Sequence, residues 1–182
     1  TIVYSASPTY SILIYSNTTL NTGSMVIARL GIGSSPTNAD YTITLNSALS
    51  ATTFIFNPNA ASHNITFGGS FGFSFGSWTE GTSQSLSNLI LTYGNTYQVT
   101  SSMAFTFPST QGLTVKSSNS PNKVVFKYTG SSPASCGVVN FTDVDASGGL
   151  PIYTWSGTVS NCNLIYNYTT PLAAGFSVGG RP

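Results

Sequence analysis

Tyr41-Thr-Ile-Thr-Leu45 and Phe71-Gly-Phe-Ser-Phe75 are the stretches on which the fold class turns. In each, large apolar residues alternate with small or hydroxyl-bearing ones. Period two belongs to a strand with one buried face and one wet face. Working outward, the same period runs through Thr53-Phe-Ile-Phe56, Tyr97-Gln-Val-Thr100, Phe105-Thr-Phe107, Leu113-Thr-Val-Lys116 and Val124-Val-Phe-Lys-Tyr128. Turn clusters separate these runs, among them Gly33-Ser-Ser-Pro36, Asn57-Pro-Asn59, Gly68-Gly69, Ser117-Ser-Asn-Ser-Pro121, Gly130-Ser-Ser-Pro133 and Ser147-Gly-Gly149. Gln84 to Thr92, the one stretch open to a helical reading, is taken as a strand or short turn. No internal repeat of fixed length is visible in the residue identities. Short alternating strands with frequent turn signals predict an all-β fold, a single β-sandwich head of Ig-like or pilin-like type.

Composition narrows the function classes. Of 182 residues, 5 are Lys or Arg and 4 are Asp or Glu, giving a net charge of +1. No basic face is available for nucleic acid, and no acidic face for cationic ligands. Serine, threonine and asparagine together number 69 (29, 25 and 15), so the polarity is almost wholly uncharged. With 40% hydrophobic and 13% aromatic residues, the chain is too apolar for a disordered tail. A hydroxyl-coated β-protein poor in acids and bases is not the profile of an enzyme.

The amino terminus stands apart from the rest. Thr1 in place of Met suggests a processed, exported chain. No apolar run reaches the ~20 residues of a membrane span. Ile2-Val-Tyr4 and Ile12-Leu-Ile-Tyr15 are apolar on both strand faces, and the intervening segment carries Pro8 but no hairpin turn. The expectation is a tail over residues 1–15 that leaves a head over 16–182 and lies as a donor strand in a neighbour. Ile2, Tyr4, Ile12 and Ile14 share one parity and are its inward plugs.

Several motifs carry chemistry. Asn17, Asn64, Asn140 and Asn167 each open an Asn-X-Ser/Thr sequon and are expected to carry N-linked glycans at the surface. Cys136 and Cys162, 26 positions apart, are expected to form one disulfide, worth roughly 3 kcal/mol by chain entropy. Asp143-Val-Asp-Ala-Ser-Gly148 resembles the start of a calcium loop, with Asp143 and Asp145 as ligands, but Thr154 stands where a bidentate Glu is needed. Gly72-Phe-Ser-Phe-Gly76 matches the nucleophile-elbow pattern only in letters, since Ser74 lies within an alternating strand and His63 precedes it. Neither a metal centre nor a cofactor is expected. Trp78 and Trp155 are read as core residues, or as a sugar-stacking platform if exposed.

The charge-poor, sequon-bearing β-chain with its extended apolar start (Thr1 to Tyr15) resembles the subunits of archaeal thread filaments, thin surface fibres of thermoacidophiles such as Sulfolobus. It also shares features with the archaeal bundling pilins. The resemblance covers the whole chain in composition and layout. It implies donor-strand complementation between identical subunits, N-glycosylation, and an extracellular filament serving adhesion or biofilm cohesion. A monomeric carbohydrate-binding or adhesin-type domain is the alternative.

Overall fold

The computed structural model of the chain describes residues 11–23, 26–33, 40–57, 64–80, 87–106 and 112–168. All regular structure within them is β, and every strand pairing is parallel. One sheet has seven strands: β2 (Thr18–Leu20), β4 (Tyr41–Leu45), β6 (Asn64–Gly69), β8 (Ser87–Leu91), β10 (Leu113–Ser117), β13 (Val139–Thr142) and β16 (Val159–Ser160). The second begins with β1 (Ser11–Ile14), β3 (Val26–Gly33), β5 (Leu49–Asn57), β7 (Phe73–Glu80) and the long β9 (Thr96–Thr106). There it forks. The first half of β9 pairs with β11 (Val124–Tyr128), which continues to β14 (Val144–Asp145). Its second half pairs with β12 (Ala134–Gly137), followed by β15 (Ile152–Trp155) and β17 (Ile165–Tyr168).

The chain therefore winds as a parallel β-solenoid, and the expected β-sandwich is overturned. Tyr41 pairs with Ile65 and Ile65 with Leu89, so these rungs advance the chain by 24 residues, and Leu89 pairs with Val115, 26 further on. Inward and outward residues alternate identically in a sandwich strand and in a solenoid rung. What separates them is the partner, here the strand one rung on rather than an antiparallel hairpin neighbour. The apolar pattern does repeat although the identities do not. Tyr41, Ile65 and Leu89 stack inward, as do Ile43, Phe67 and Leu91.

At one height of the long sheet two outward residues follow one another, and at β9 a bulge is added. In β5, Ala51 and Phe54 face the core with Thr52 and Thr53 between them. Gly76 and Ser77 occupy the same place in β7, and β9 inserts a further residue there, shifting the register between Phe75 and Ser77. The extra residues bend the strand. Gly76 is required at this bend, because a Cβ would stand 2.5 Å from the Thr52 carbonyl oxygen. Beyond β9 the bend becomes a corner, the two halves of the strand become separate faces, and the rungs turn triangular. They also shorten, with Phe141 pairing with Val159 and Ile152 with Ile165.

The core is continuous from end to end. In the wider rungs it is aromatic: Phe73 and Phe75 stack at 4.1 Å, Phe54 and Phe75 at 4.5 Å, and Trp78 meets Phe54 edge-on at 5.2 Å. In the triangular rungs, single residues at positive φ turn the corners. Val138 (53°) and Asp143 (56°) have Ser156 (57°) and Asn161 (50°) one rung further on. No helix among the described residues is long and apolar enough to cross a membrane.

Candidate functional site

The tail expectation is corrected where the structure describes it. Ile2 and Tyr4 lie outside the described residues. Ile12 and Ile14 are buried within their own chain, because β1 pairs in parallel with β3 and Ile12 and Ile14 face inward beside Leu30 and Ile32. An apolar strand next to an open parallel edge gains its ladder at home. β1 is thus part of the solenoid, and the boundary drawn after residue 15 divides no structural unit.

The disulfide is also not formed. Cys136 and Cys162 are free thiols. Cys136 is fully enclosed in the core, and burial pushes its thiol well above the ordinary range. Cys162 is half-buried, its Sγ 3.2 Å from the Ser160 carbonyl oxygen, and burial raises its thiol as well. The two occupy different structural levels: Cys136 on a strand facing the core, Cys162 in the corner after β16.

Asp143 and Asp145 hold corners of the winding through hydrogen bonds. Asn161 Nδ2 donates to Asp143 Oδ1 at 2.6 Å, and Asp145 Oδ1 accepts from the Ser147 hydroxyl (2.6 Å), the Ser147 amide (3.0 Å) and Asn163 Nδ2 (3.2 Å). Hydrogen bonds from Asn161 and Ser120 lower the Asp143 carboxyl below its ordinary range, and those from Ser147 do the same for Asp145. Thr154, at the twelfth loop position, is buried and exchanges hydrogen bonds with the Val139 backbone. Among the described residues no three His, Cys, Asp or Glu side chains converge. Ser74 is the second residue of β7, paired between Ser50 and Gln98, and His63 lies outside the described residues.

The sequons divide into two kinds. Asn64 and Asn140 face outward on the seven-stranded sheet, half-buried in one ladder running along the stack. Asn64 Nδ2 donates to Asp40 at 2.7 Å and its Oδ1 accepts from Asn88 at 2.8 Å. Asn140 Oδ1 accepts from the Thr158 amide (2.8 Å) and hydroxyl (2.9 Å). Asn17, on the same face, is exposed and accepts the Thr42 amide at 2.7 Å. Asn167 is exposed on the last strand, β17.

The ends of the stack carry the feature that sequence reasoning missed. Seven large apolar side chains are exposed among the described residues, and four stand at the two ends. Leu13 and Tyr15 mark the first described rung, Tyr166 and Tyr168 the last. β1 and β17 terminate the strand order, so among the described residues their outer edges have no strand partner. Next to that last edge is an aromatic cluster. Tyr153 lies 5.6 Å from Tyr166 and 5.1 Å from Tyr168, and the Trp155 ring lies over Gly137, 2.7 Å from where a Cβ would stand. Trp78, by comparison, is core. The apolar pattern advances by 18 residues from β1 to β3 and by 13 from β15 to β17, so no single spacing in the sequence marks these two ends.

No family model matches the chain, no curated protein is similar to it in sequence, and no solved structure matches its fold.

Proposed function

We propose that this chain is the structural subunit of an extracellular cell-surface filament, stacking head to tail through the open ends of its solenoid, in adhesion or biofilm cohesion. The observation that carries the reading is the pair of edges, β1 and β17, that have no strand partner among the described residues, with exposed Leu13, Tyr15, Tyr166 and Tyr168 beside them. A repeat protein that works as a monomer needs polar caps at its ends, and an open apolar edge left in water is an aggregation site. Strand addition by an identical subunit satisfies both backbone and side chains. Because the two ends differ, the contact is heterologous and propagates as a fibre. Strand donation is thus retained in kind, with the solenoid edges taking the place of a free tail. Asn17, Asn64 and Asn140 lie on an outward face of the stack, where N-glycans would hydrate the fibre. The chain forms no active site in this reading.

A second reading has its own support: Tyr153, Trp155, Tyr166 and Tyr168 form an aromatic surface suited to stacking on sugar rings, as in a monomeric adhesin. Size-exclusion chromatography with negative-stain microscopy of the purified chain separates the two. Uniform fibres support the filament, and a stable monomer that binds glycans supports the adhesin.

A further inference from the structure

We propose that the junction between copies is a direct continuation of the long sheet, β17 of one copy pairing in parallel with β1 of the next. This rests on the filament reading and specifies its contact. Register within the chain fixes which side chains would meet. The inward column runs Ile12, Leu30, Phe54, Trp78 and Met103, and on the far side of the fork Ala134, Ile152 and Ile165. All eight are buried. The adjacent outward column begins at Leu13 and ends at Tyr153 and Tyr166. Two residues further along, Tyr15 and Tyr168 stand at equivalent heights.

Continuing these columns across the junction sets Ile165 against Ile12, Tyr166 against Leu13 and Tyr168 against Tyr15. Each exposed apolar end residue then meets another, and the Tyr153–Tyr166 contact extends into the next subunit. Leu13 already lies over Gly31, its Cδ1 2.7 Å from where a Cβ would stand, as Trp155 lies over Gly137. The outer face of this sheet thus already stacks large side chains from rung to rung.

The junction has a consequence for carbohydrate. Asn167 shares the inward column of Cys136 and Thr154, both fully buried, and is exposed on the last of the described rungs. In the stack it faces Ile14 and is enclosed. A glycan on Asn167 and a neighbour on β17 exclude one another, so Asn167 is unmodified inside the fibre whereas Asn17, on an outer face, is free to carry sugar.

Paired cysteines test the register. Opposed Cα atoms in adjacent parallel strands stand about 4.8 Å apart, within the roughly 4.4–6.8 Å that a disulfide spans. In the full chain with Cys162→Ser, the pair Leu13→Cys and Tyr166→Cys should give a reducible ladder of oligomers under mild oxidation. The offset pair Leu13→Cys and Tyr168→Cys, about 8 Å apart, should give roughly tenfold less. Should the double variant fail to fold by circular dichroism, an equimolar mixture of the two single variants is oxidised, and a cross-linked heterodimer is the expected product. Fibres that form without cross-linking of the Leu13/Tyr166 pair, or that cross-link better through the offset pair, overturn this register and leave the filament reading standing. Parent chain that never forms fibres overturns both. Glycopeptide mapping of native fibres gives an independent check, and full occupancy of Asn167 contradicts the junction.

Discussion

The wide rungs from β3 to β9 and the triangular rungs from β12 to β17 follow the same winding rule with different chemistry. The wide rungs bring two long strands face to face and fill the space with stacked Phe54, Phe67, Phe73, Phe75 and Trp78. Triangular rungs enclose a smaller interior and need a sharp corner every few residues. Their inward positions accordingly include Thr154 and Asp143, whose side chains bond to backbone or to a corner partner. Apolar burial is non-directional and tolerates irregular neighbours, whereas the corners depend on particular hydrogen bonds and positive φ. One fold is thus held by packing at one end and by corner geometry at the other.

Removing an aromatic from the wide rungs should have the largest effect. Phe54→Ala deletes a ring that contacts Phe56, Phe67, Phe73, Phe75 and Trp78, and should cost about 3–5 kcal/mol in chemical denaturation. A loss below about 1 kcal/mol would mean that the stack is not the core. Gly76→Val tests the bend in the long sheet. Its side chain meets the Thr52 carbonyl, and an expected loss of about 1–3 kcal/mol should appear as a lower melting temperature.

How far this division is legible in the sequence depends on the residues. Alternation in Tyr41–Leu45 and Val124–Tyr128 is visible and correctly announces strands with one face buried. It says nothing of partner or direction, so it fits a sandwich as well as a solenoid. The 24-residue rung hides because unlike apolar residues fill equivalent places, Phe54 over Trp78 and Ala51 over Phe75. Corners are hidden too: Val138 and Leu164 turn the chain at positive φ without the Gly or Asn that would mark it. Cys136 and Cys162 suggest a bridge by compartment logic, but one faces the core and the other a corner. The ends emerge only once the winding is known.

In the triangular rungs the predicted effects are smaller. Asn161 donates to the Pro121 carbonyl oxygen at 2.8 Å and to Asp143 at 2.6 Å while its own φ is 50°. Asn161→Ala should cost about 1–3 kcal/mol, and Asn161→Gly less, because glycine keeps the conformation and loses only the bonds. Equal losses for the two would show that backbone conformation contributes nothing at this corner.

The weakest effect should be that of acid. Asp143 and Asp145 titrate below their ordinary value because donors hold the charged form, so their contribution is present above about pH 4. It is lost only as the pH falls through the lowered values. Unfolding midpoints should therefore stay nearly flat from pH 7 to about 4 and decline below that, and Asp145→Asn should flatten the decline. A midpoint that drops steeply between pH 6 and 5 would contradict these corner assignments.

Fibre diffraction or electron cryo-microscopy of assembled material tests the central claim, an end-to-end parallel β-stack, most directly. The long sheet passes through eight strands from β1 to β17. At about 4.8 Å per strand, a directly continued stack rises about 38 Å per subunit, with every strand perpendicular to the fibre axis. A strong meridional reflection near 4.8 Å and a subunit rise of about 38 Å are the predicted result. Strands running along the fibre axis, or a rise far from that value, would contradict it.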